Sequence, residues 1–230
     1  EETAQTIYKQ WFVDFEFPFD FAQGKPSENG KPYKSNGGKM VWCEELEKEI
    51  PEGWEVGNFE DICENFDSQR KPLSGFERLN KKKIYPYYGA ATLMDYIDDY
   101  IFEGTYILLG EDGSVVTENG TPVLQYVWGK FWVNNHAHVL KGKNGFNENS
   151  LYILLKNTNI SDIITGGVQA KINQSNLNKI RVLNPKNTFL ENLNKIIDPI
   201  FDLYKNTKQE NQKLEDLKEL LLAKMTRVEN

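Results

Sequence analysis

The chain has 230 residues, 39% hydrophobic and 13% aromatic, enough to bury one real core with an extended appendage, or two small cores, and too apolar for a disordered chain. No run of eighteen apolar residues and no leader-like opening is present, which excludes a membrane-spanning helix and predicts a soluble, cytoplasmic protein. The formal charge of −7 weighs against a nucleic-acid partner, yet Trp54 to Thr188 holds 14 basic against 15 acidic residues, so the middle of the chain is near neutral and can still present a basic face.

Residues 1–15 carry apolar side chains at Ala4, Ile7, Tyr8, Trp11 and Phe12, the spacing of a helix already under way. With Glu1 in place of an initiator methionine, the chain reads as a piece of a longer product. Residues 15–21 place aromatics around Pro18. Residues 24–38, rich in Gly, Lys, Ser, Asn and Pro, predict a loop or linker. The turn Ile50-Pro51-Glu52-Gly53-Trp54 then delivers a tryptophan into the first element of a domain. β-Branched and aromatic residues predict strands at 96–102, 105–109, 123–127, 131–133 and 137–140, with a turn at Glu111-Asp112-Gly113. Short helices are expected at 147–155 and 160–165, and a last strand at 180–183, ended by Pro185. Many short strands with interspersed helices predict an α+β domain built on a mixed sheet.

Residues 188–230 contain no glycine and one proline, and read as one long amphipathic helix. Apolar residues fall at Leu193, Ile196 or Ile197, Ile200, Leu203 or Tyr204, Leu214, Leu217, Leu221 and Val228, with a polar break at Thr207, Glu210 and Asn211. Such a helix is about 55 to 60 Å long and must project past a small domain. Its stripe, with Leu193, Ile200, Leu214, Leu217 and Leu221 as interface residues, is expected to pack as a coiled-coil seam on another helix of this chain or of a partner; the alternative is a helix folded back on the domain core. Pro199 predicts a kink, or else Asp198 caps a fresh start and leaves 190–197 as a separate short helix. The resulting division is 1–50 for the helix end and linker, 51–187 for the globular domain and 188–230 for the long helix.

Two polar sets have the composition of a nucleic-acid surface. Arg70, Lys71, Arg78, Lys81, Lys82 and Lys83, followed by Tyr85, Tyr87, Tyr88 and Gly89, combine phosphate-neutralising cations with aromatics that can touch sugars and bases. A solvated loop has the same composition. Thr165, Gly166, Gly167, Gln169, Lys171, Asn173 and Gln174 supply glycines for close backbone approach and amides suited to adenine, or simply a turn that orients the last strand. His136 and His138, two residues apart, would share one face of a strand, but nothing marks a third ligand. Structural roles are therefore expected, with Asn134, Asn135 and His136 as turn residues and no metal bound. Cys43 and Cys63 lack metal-ligand spacing and fit a reducing compartment. Asp95, Asp98 and Asp99 do not have a convincing magnesium-nuclease spacing. A nucleophile elbow, a phosphate-binding P-loop, a glycine-rich cofactor loop and the Asn-Pro-Pro-aromatic tetrad of adenine methyltransferases are all missing, so neither a catalytic residue nor a cofactor is expected.

Several stretches together resemble the specificity subunit of type I restriction-modification systems. Residues 4–15 look like the end of that family's central helix, and Ile50-Pro51-Glu52-Gly53-Trp54 like the opening of a target recognition domain. Pro86-Tyr87-Tyr88-Gly89-Ala90, Leu109-Gly110-Glu111-Asp112-Gly113, Val133-Asn134-Asn135-His136-Ala137-His138 and Ile172-Asn173-Gln174 look like markers of one recognition-domain class. The C-terminal helix is similar to the family's distal spacer helix. The resemblance implies a non-catalytic subunit in which two recognition domains each read half of a split site in double-stranded DNA. Two long antiparallel helices set the spacing, and the partners are methyltransferase subunits that modify adenine with S-adenosylmethionine and restriction subunits that translocate and cut DNA. This chain departs from the pattern in holding one recognition domain, one full helix and a stub. It is expected to be the C-terminal half of a longer subunit, or a half-length form that self-associates through its helix. A polypeptide-binding adaptor with a coiled-coil arm is the competing reading.

Overall fold

The computed structural model describes residues 2–18, 31–166 and 169–228, with side chains to residue 226. Residues 24–30 of the expected 24–38 loop, residues 19–21 of the aromatic stretch, and Gly167 lie outside the described residues. Helix α1 (Glu2–Tyr8) runs into a π-helical turn, Lys9–Val13, whose extra residue per turn accompanies burial of the consecutive Trp11 and Phe12. Next come a hairpin of β1 (Met40–Cys43) and β2 (Lys48–Pro51), then β3 (Glu55–Asn58), α2 (Phe59–Ile62), β4 (Cys63–Asn65) and α3 (Gly75–Leu79). Strands β5 (Tyr85–Tyr88), β6 (Leu93–Ile97), β7 (Phe102–Glu103), β8 (Tyr106–Gly110), β9 (Leu124–Val127), β10 (Lys130–Val133) and β11 (Ala137–Gly142) follow. The chain closes with α4 (Glu148–Lys156), α5 (Gln174–Asn178), β12 (Arg181–Asn184) and α6 (Asn187–Val228).

Two four-stranded sheets carry the domain, ordered β6-β5-β10-β7 and β4-β11-β8-β9. The first is mixed, since β10 and β5 are parallel while β5–β6 and β10–β7 are antiparallel, and the second is antiparallel throughout. Strand β8 shows why they stack. Its residues are buried on both faces, and alternation sends Tyr106 and Leu108 into a small core with Phe102, Phe131, Val133, Ala137 and Val139 between the sheets. Ile107 and Leu109 face the main core, shared with Leu140, α4 and α6. Strand β12 pairs with β3, Arg181 opposite Asn58, and so joins the end of the domain to its start.

The expected strand over 96–102 is split. Asp98 turns out to pair with Lys81 at 2.7 Å, and Asp99 caps its own turn by accepting from the Tyr100 N–H at 2.8 Å; side-chain bonding of this kind competes with a ladder. The helix expected at 160–165 is a single 3-10 turn, Ser161–Ile163, after which Thr165 bridges to Lys171. Pro199 does not divide the last helix. It lies on the exposed face of a continuous α6, and the Asp198 side chain, instead of capping a fresh start, accepts from Asn147 and Asn149.

Helix α6 has two unlike halves. Phe189, Leu190, Leu193, Ile197 and Phe201 are buried, and Phe189 closes an aromatic cluster with Trp11, Phe12, Phe17 and Trp54. Up to Tyr204 it is thus a core helix. From Asn206 to Thr226 every residue is exposed. Helix α1 lies antiparallel on the docked half, with Ala4 beside Ile200, Phe201 and Tyr204 and Phe12 on Phe189.

Candidate nucleic-acid interface

The four stretches that resemble recognition-domain markers, far apart in sequence, meet at one end of the two sheets. Because β5 and β10 are parallel, with Trp132 opposite Tyr87 and Val133 opposite Tyr88, the turns after them, 89–92 and 134–136, emerge side by side. Strand β8 ends with Gly110 opposite Ala137, which delivers residues 111–113 to the same place. Asp112 bridges to Lys171, and Ile172 N–H donates to the Glu111 carbonyl at 2.8 Å, adding the loop 165–173.

Short polar contacts fix these turns. The Asn134 side-chain oxygen accepts from the His136 N–H at 2.8 Å, an Asx turn, while the Asn134 N–H donates to Tyr88 O at 3.1 Å. Gln125 Nε2 donates to Gly89 O at 2.9 Å. At Gly110 a Cβ would stand 3.1 Å from Ser114 O and 3.2 Å from Ala90 O, so a side chain there would crowd the backbone of both neighbouring loops.

Beneath the loops lies a buried ionic network. His138, 1% exposed, places Nδ1 2.5 Å from Asp67 Oδ2, and its Nε2 donates to Ile172 O at 2.9 Å. Arg70 donates from one terminal nitrogen to Glu111 and to Ala137 O, both at 2.7 Å, and from Nε to Asp67 O at 3.1 Å. Lys171 stands 3.3 Å from the other Glu111 oxygen. Burial alone would raise the Asp67 carboxyl, but the His138 hydrogen bond and charge, the Val139 N–H and Arg70 outweigh it and hold the group below its ordinary value. Asp67, Glu111 and His138 offer ligand atoms within 4.8 Å of one another, but Arg70 and Lys171 already supply the cations that neutralise both carboxylates. The arrangement is an ion-pair clasp.

These positions change the reading of several residues. Arg70 is turned inward with its side chain 12% exposed, so it holds the loops instead of facing solvent. Tyr87 is buried, with its hydroxyl 3.0 Å from the Leu73 N–H and its ring under the Arg78 guanidinium at 4.9 Å. Arg78 also pairs with Asp95 at 3.4 Å, and Tyr88 packs edge-on to Phe131. Asn173 is the N-cap of α5, accepting from the Asn176 N–H at 2.8 Å. His136 precedes β11 instead of lying in it; it is exposed and 2.8 Å from Asp112, so the two histidines do not share a face.

Facing solvent are Lys71, Lys82, Lys83, Thr165, Gln169 and Lys171. Lys83 also pairs with Asp95 at 2.8 Å, and the partly exposed Lys81 with Asp98. The triplet Lys81 to Lys83 lies before β5, about 20 Å along the chain from the hairpin tip after it. On α6, Leu193 is buried and Ile200 partly buried against this chain's own core, whereas Leu214, Leu217 and Leu221 are 63%, 51% and 52% exposed. The sequence does not reveal Asp67 and Glu111 as the partners of Arg70, nor the Asp112–His136 pair, although the turn that carries His136 is legible in the consecutive Asn134, Asn135 and His136.

Comparison with known proteins gives this geometry a family. A Haemophilus influenzae protein assigned as a type I restriction enzyme specificity subunit is 35% identical over 157 residues, covering 67% of this chain and 40% of its own length. The type I restriction enzyme MjaIX specificity subunit of Methanocaldococcus jannaschii is 24% identical over 243 residues, covering 98% of this chain and 51% of its own. The chain thus spans about half, or less, of the length of these relatives. The fold is shared with the type I restriction-modification S subunit from M. genitalium, at a TM-score of 0.54 and 12% identity over 68% of this chain and 40% of that one. The family model for the type I restriction modification DNA specificity domain matches residues 51–219, from β2 through the loop cluster and into the exposed half of α6, and the chain belongs to that family.

Proposed function

We propose that this chain is a non-catalytic, sequence-reading element of a type I restriction-modification system, acting in the cytoplasm. In this reading the loop cluster, with Gln169, Thr165, Asn135 and His136 at its surface, addresses base edges in one half of a divided DNA site. Lys71, Lys82, Lys83 and Lys171 contact phosphates. The observation that carries the reading is the convergence of four marker stretches on one exposed loop cluster, rigidly braced from below. Loops held on a fixed scaffold suit base readout, whereas cations position the duplex. Lys81, Lys83 and Lys171 must each give up a carboxylate partner, Asp98, Asp95 and Glu111, to reach a phosphate, so Lys82 contributes more per side chain.

The exposed half of α6 is proposed to pack against another helix, in the antiparallel sense that α1 takes on the docked half. That helix belongs to a second recognition unit or a second copy, and the paired arms set the gap between half-sites and dock the methyltransferase and restriction subunits. Binding of a labelled duplex over a salt series tests the DNA part of the reading. Lys82→Ala should weaken all sequences alike and flatten the log–log salt slope by about one unit, while Gln169→Ala should cost about 1 to 3 kcal/mol at particular base pairs only. A salt-independent affinity, or none, would exclude a duplex partner and favour the polypeptide-binding adaptor.

A further inference from the structure

Helix α6 is held to the domain by two kinds of contact. The apolar contact, through Phe189, Leu193, Ile197 and Phe201, is buried but non-directional. It ends at an apolar crevice lined by Ala4, Tyr152, Ile200, Phe201 and Tyr204. Apolar burial by itself does not single out one roll or tilt of the helix where it leaves the domain.

The polar contact is directional. One oxygen of Asp198 accepts from the side-chain amides of both Asn147 and Asn149, each at 2.8 Å. Asn147 is at the same time the N-cap of α4, its own oxygen accepting from the Asn149 and Ser150 N–H groups at 3.0 and 2.9 Å. Asn149, buried, receives the Tyr126 hydroxyl from β9. A single carboxylate oxygen thus ties α6 to the first turn of α4 and, through it, to the sheet. Two other polar contacts of the docked half, Asn194 to Gly145 O at 2.9 Å and Lys205 to Thr105 at 3.2 Å, are single bonds. Polar groups in such a network can specify one arrangement among several of similar packing.

We propose that Asp198 is a positioning residue: its paired bonds to Asn147 and Asn149 fix the roll and tilt of α6 on the domain, and so the direction in which the leucine stripe of the free half departs. From Asp198 to the end of α6 is about 45 Å, so a 10° tilt moves the far end by about 8 Å, more than two base pairs of rise. The inference rests on contacts within the chain and does not require the DNA reading.

The test is a distance distribution by pulsed electron resonance between nitroxides at Glu60→Cys and Lys218→Cys, in a Cys43→Ser background. Labelled chain is diluted tenfold with unlabelled chain so that only intramolecular pairs count. Wild type and Asp198→Asn, which keeps an acceptor oxygen in place, should give one narrow distribution. Asp198→Ala should broaden it at least twofold, and so should Asn149→Ala, which removes one amide without touching α6. Phe201→Leu, which loosens packing but keeps the knot, should lower thermal stability without broadening. A narrow, unshifted distribution in both Asp198→Ala and Asn149→Ala would overturn the proposal, as would equal broadening by Phe201→Leu.

Discussion

Arg70 separates two accounts of the same residue, a phosphate contact suggested by its neighbours in sequence and a structural cation found in the fold. In Arg70→Ala the Glu111 carboxylate, the Ala137 carbonyl and the Asp67 carbonyl each lose a donor now at 2.7 to 3.1 Å. Breaking one side of a buried ion pair costs about 3 to 5 kcal/mol. Glu111 keeps Lys171 and Asp67 keeps His138, so the loss should fall at the lower end, about 3 kcal/mol. That is a large share of the about 5 to 15 kcal/mol of a typical domain. With a denaturant slope of about 2 kcal/mol per molar urea, the unfolding midpoint followed by tryptophan fluorescence should fall by about 1.5 M. Arg70→Lys restores the charge without the planar fork and should recover only part of the loss. An unchanged midpoint, with a DNA salt slope flattened by about one unit, would refute the reasoning and return Arg70 to the surface.

The same geometry predicts other outcomes. Because the Asp67 pKa is depressed in the fold, its stabilisation is present above the unfolded value, for which 3.8 is the reference, and is lost as pH falls through the lower folded value. The stability gap between wild type and Asp67→Asn should therefore begin to close as pH falls below about 4; a gap that grows as pH falls through that range contradicts the network. Phe189→Ala empties the centre of the aromatic cluster and should cost about 3 to 5 kcal/mol in the same urea assay, whereas a cost under 1 kcal/mol would mean that α6 is not docked as described. Replacing Leu214, Leu217 and Leu221 together by Asp should leave the urea midpoint of the dilute chain unchanged, since all three are exposed, yet abolish association with a second helix in sedimentation equilibrium. Wild type that stays monomeric at high concentration, with its proposed partner subunits present, would remove that role.

The parts of the fold legible in sequence are those whose signal is local. Strand β8 is legible as the β-branched and aromatic run over 105–109, and α4 as a short helix over 147–155. The hairpin of β1 and β2 is not legible, because Glu44 to Glu47 resemble a charged linker and only the pairing of Met40 with Pro51 reveals the strands. Arg70 could not be resolved locally, since its partner Glu111 is 41 residues away. In α6 the three-four spacing is the same on both sides of Tyr204. Sequence therefore gives a long helix without showing that Leu193 is core and Leu214 is surface; the difference lies in Trp54, Phe12 and Tyr126, aromatic residues far from α6 in sequence that cover only its first half.

The central claim is that the loop cluster reads a half-site while the free half of α6 sets the distance to another. Deleting Lys208 to Leu214 removes one heptad from the exposed half alone, keeps the stripe within about 20° of its phase and shortens the arm by about 10 Å, or about three base pairs. Selection from random duplexes, run in parallel with wild type and the deletion in the presence of the methyltransferase subunits, measures both quantities at once. The account predicts unchanged half-sites with an altered gap. Half-sites that change together with the gap, or no enrichment over non-specific binding for either protein, would contradict it.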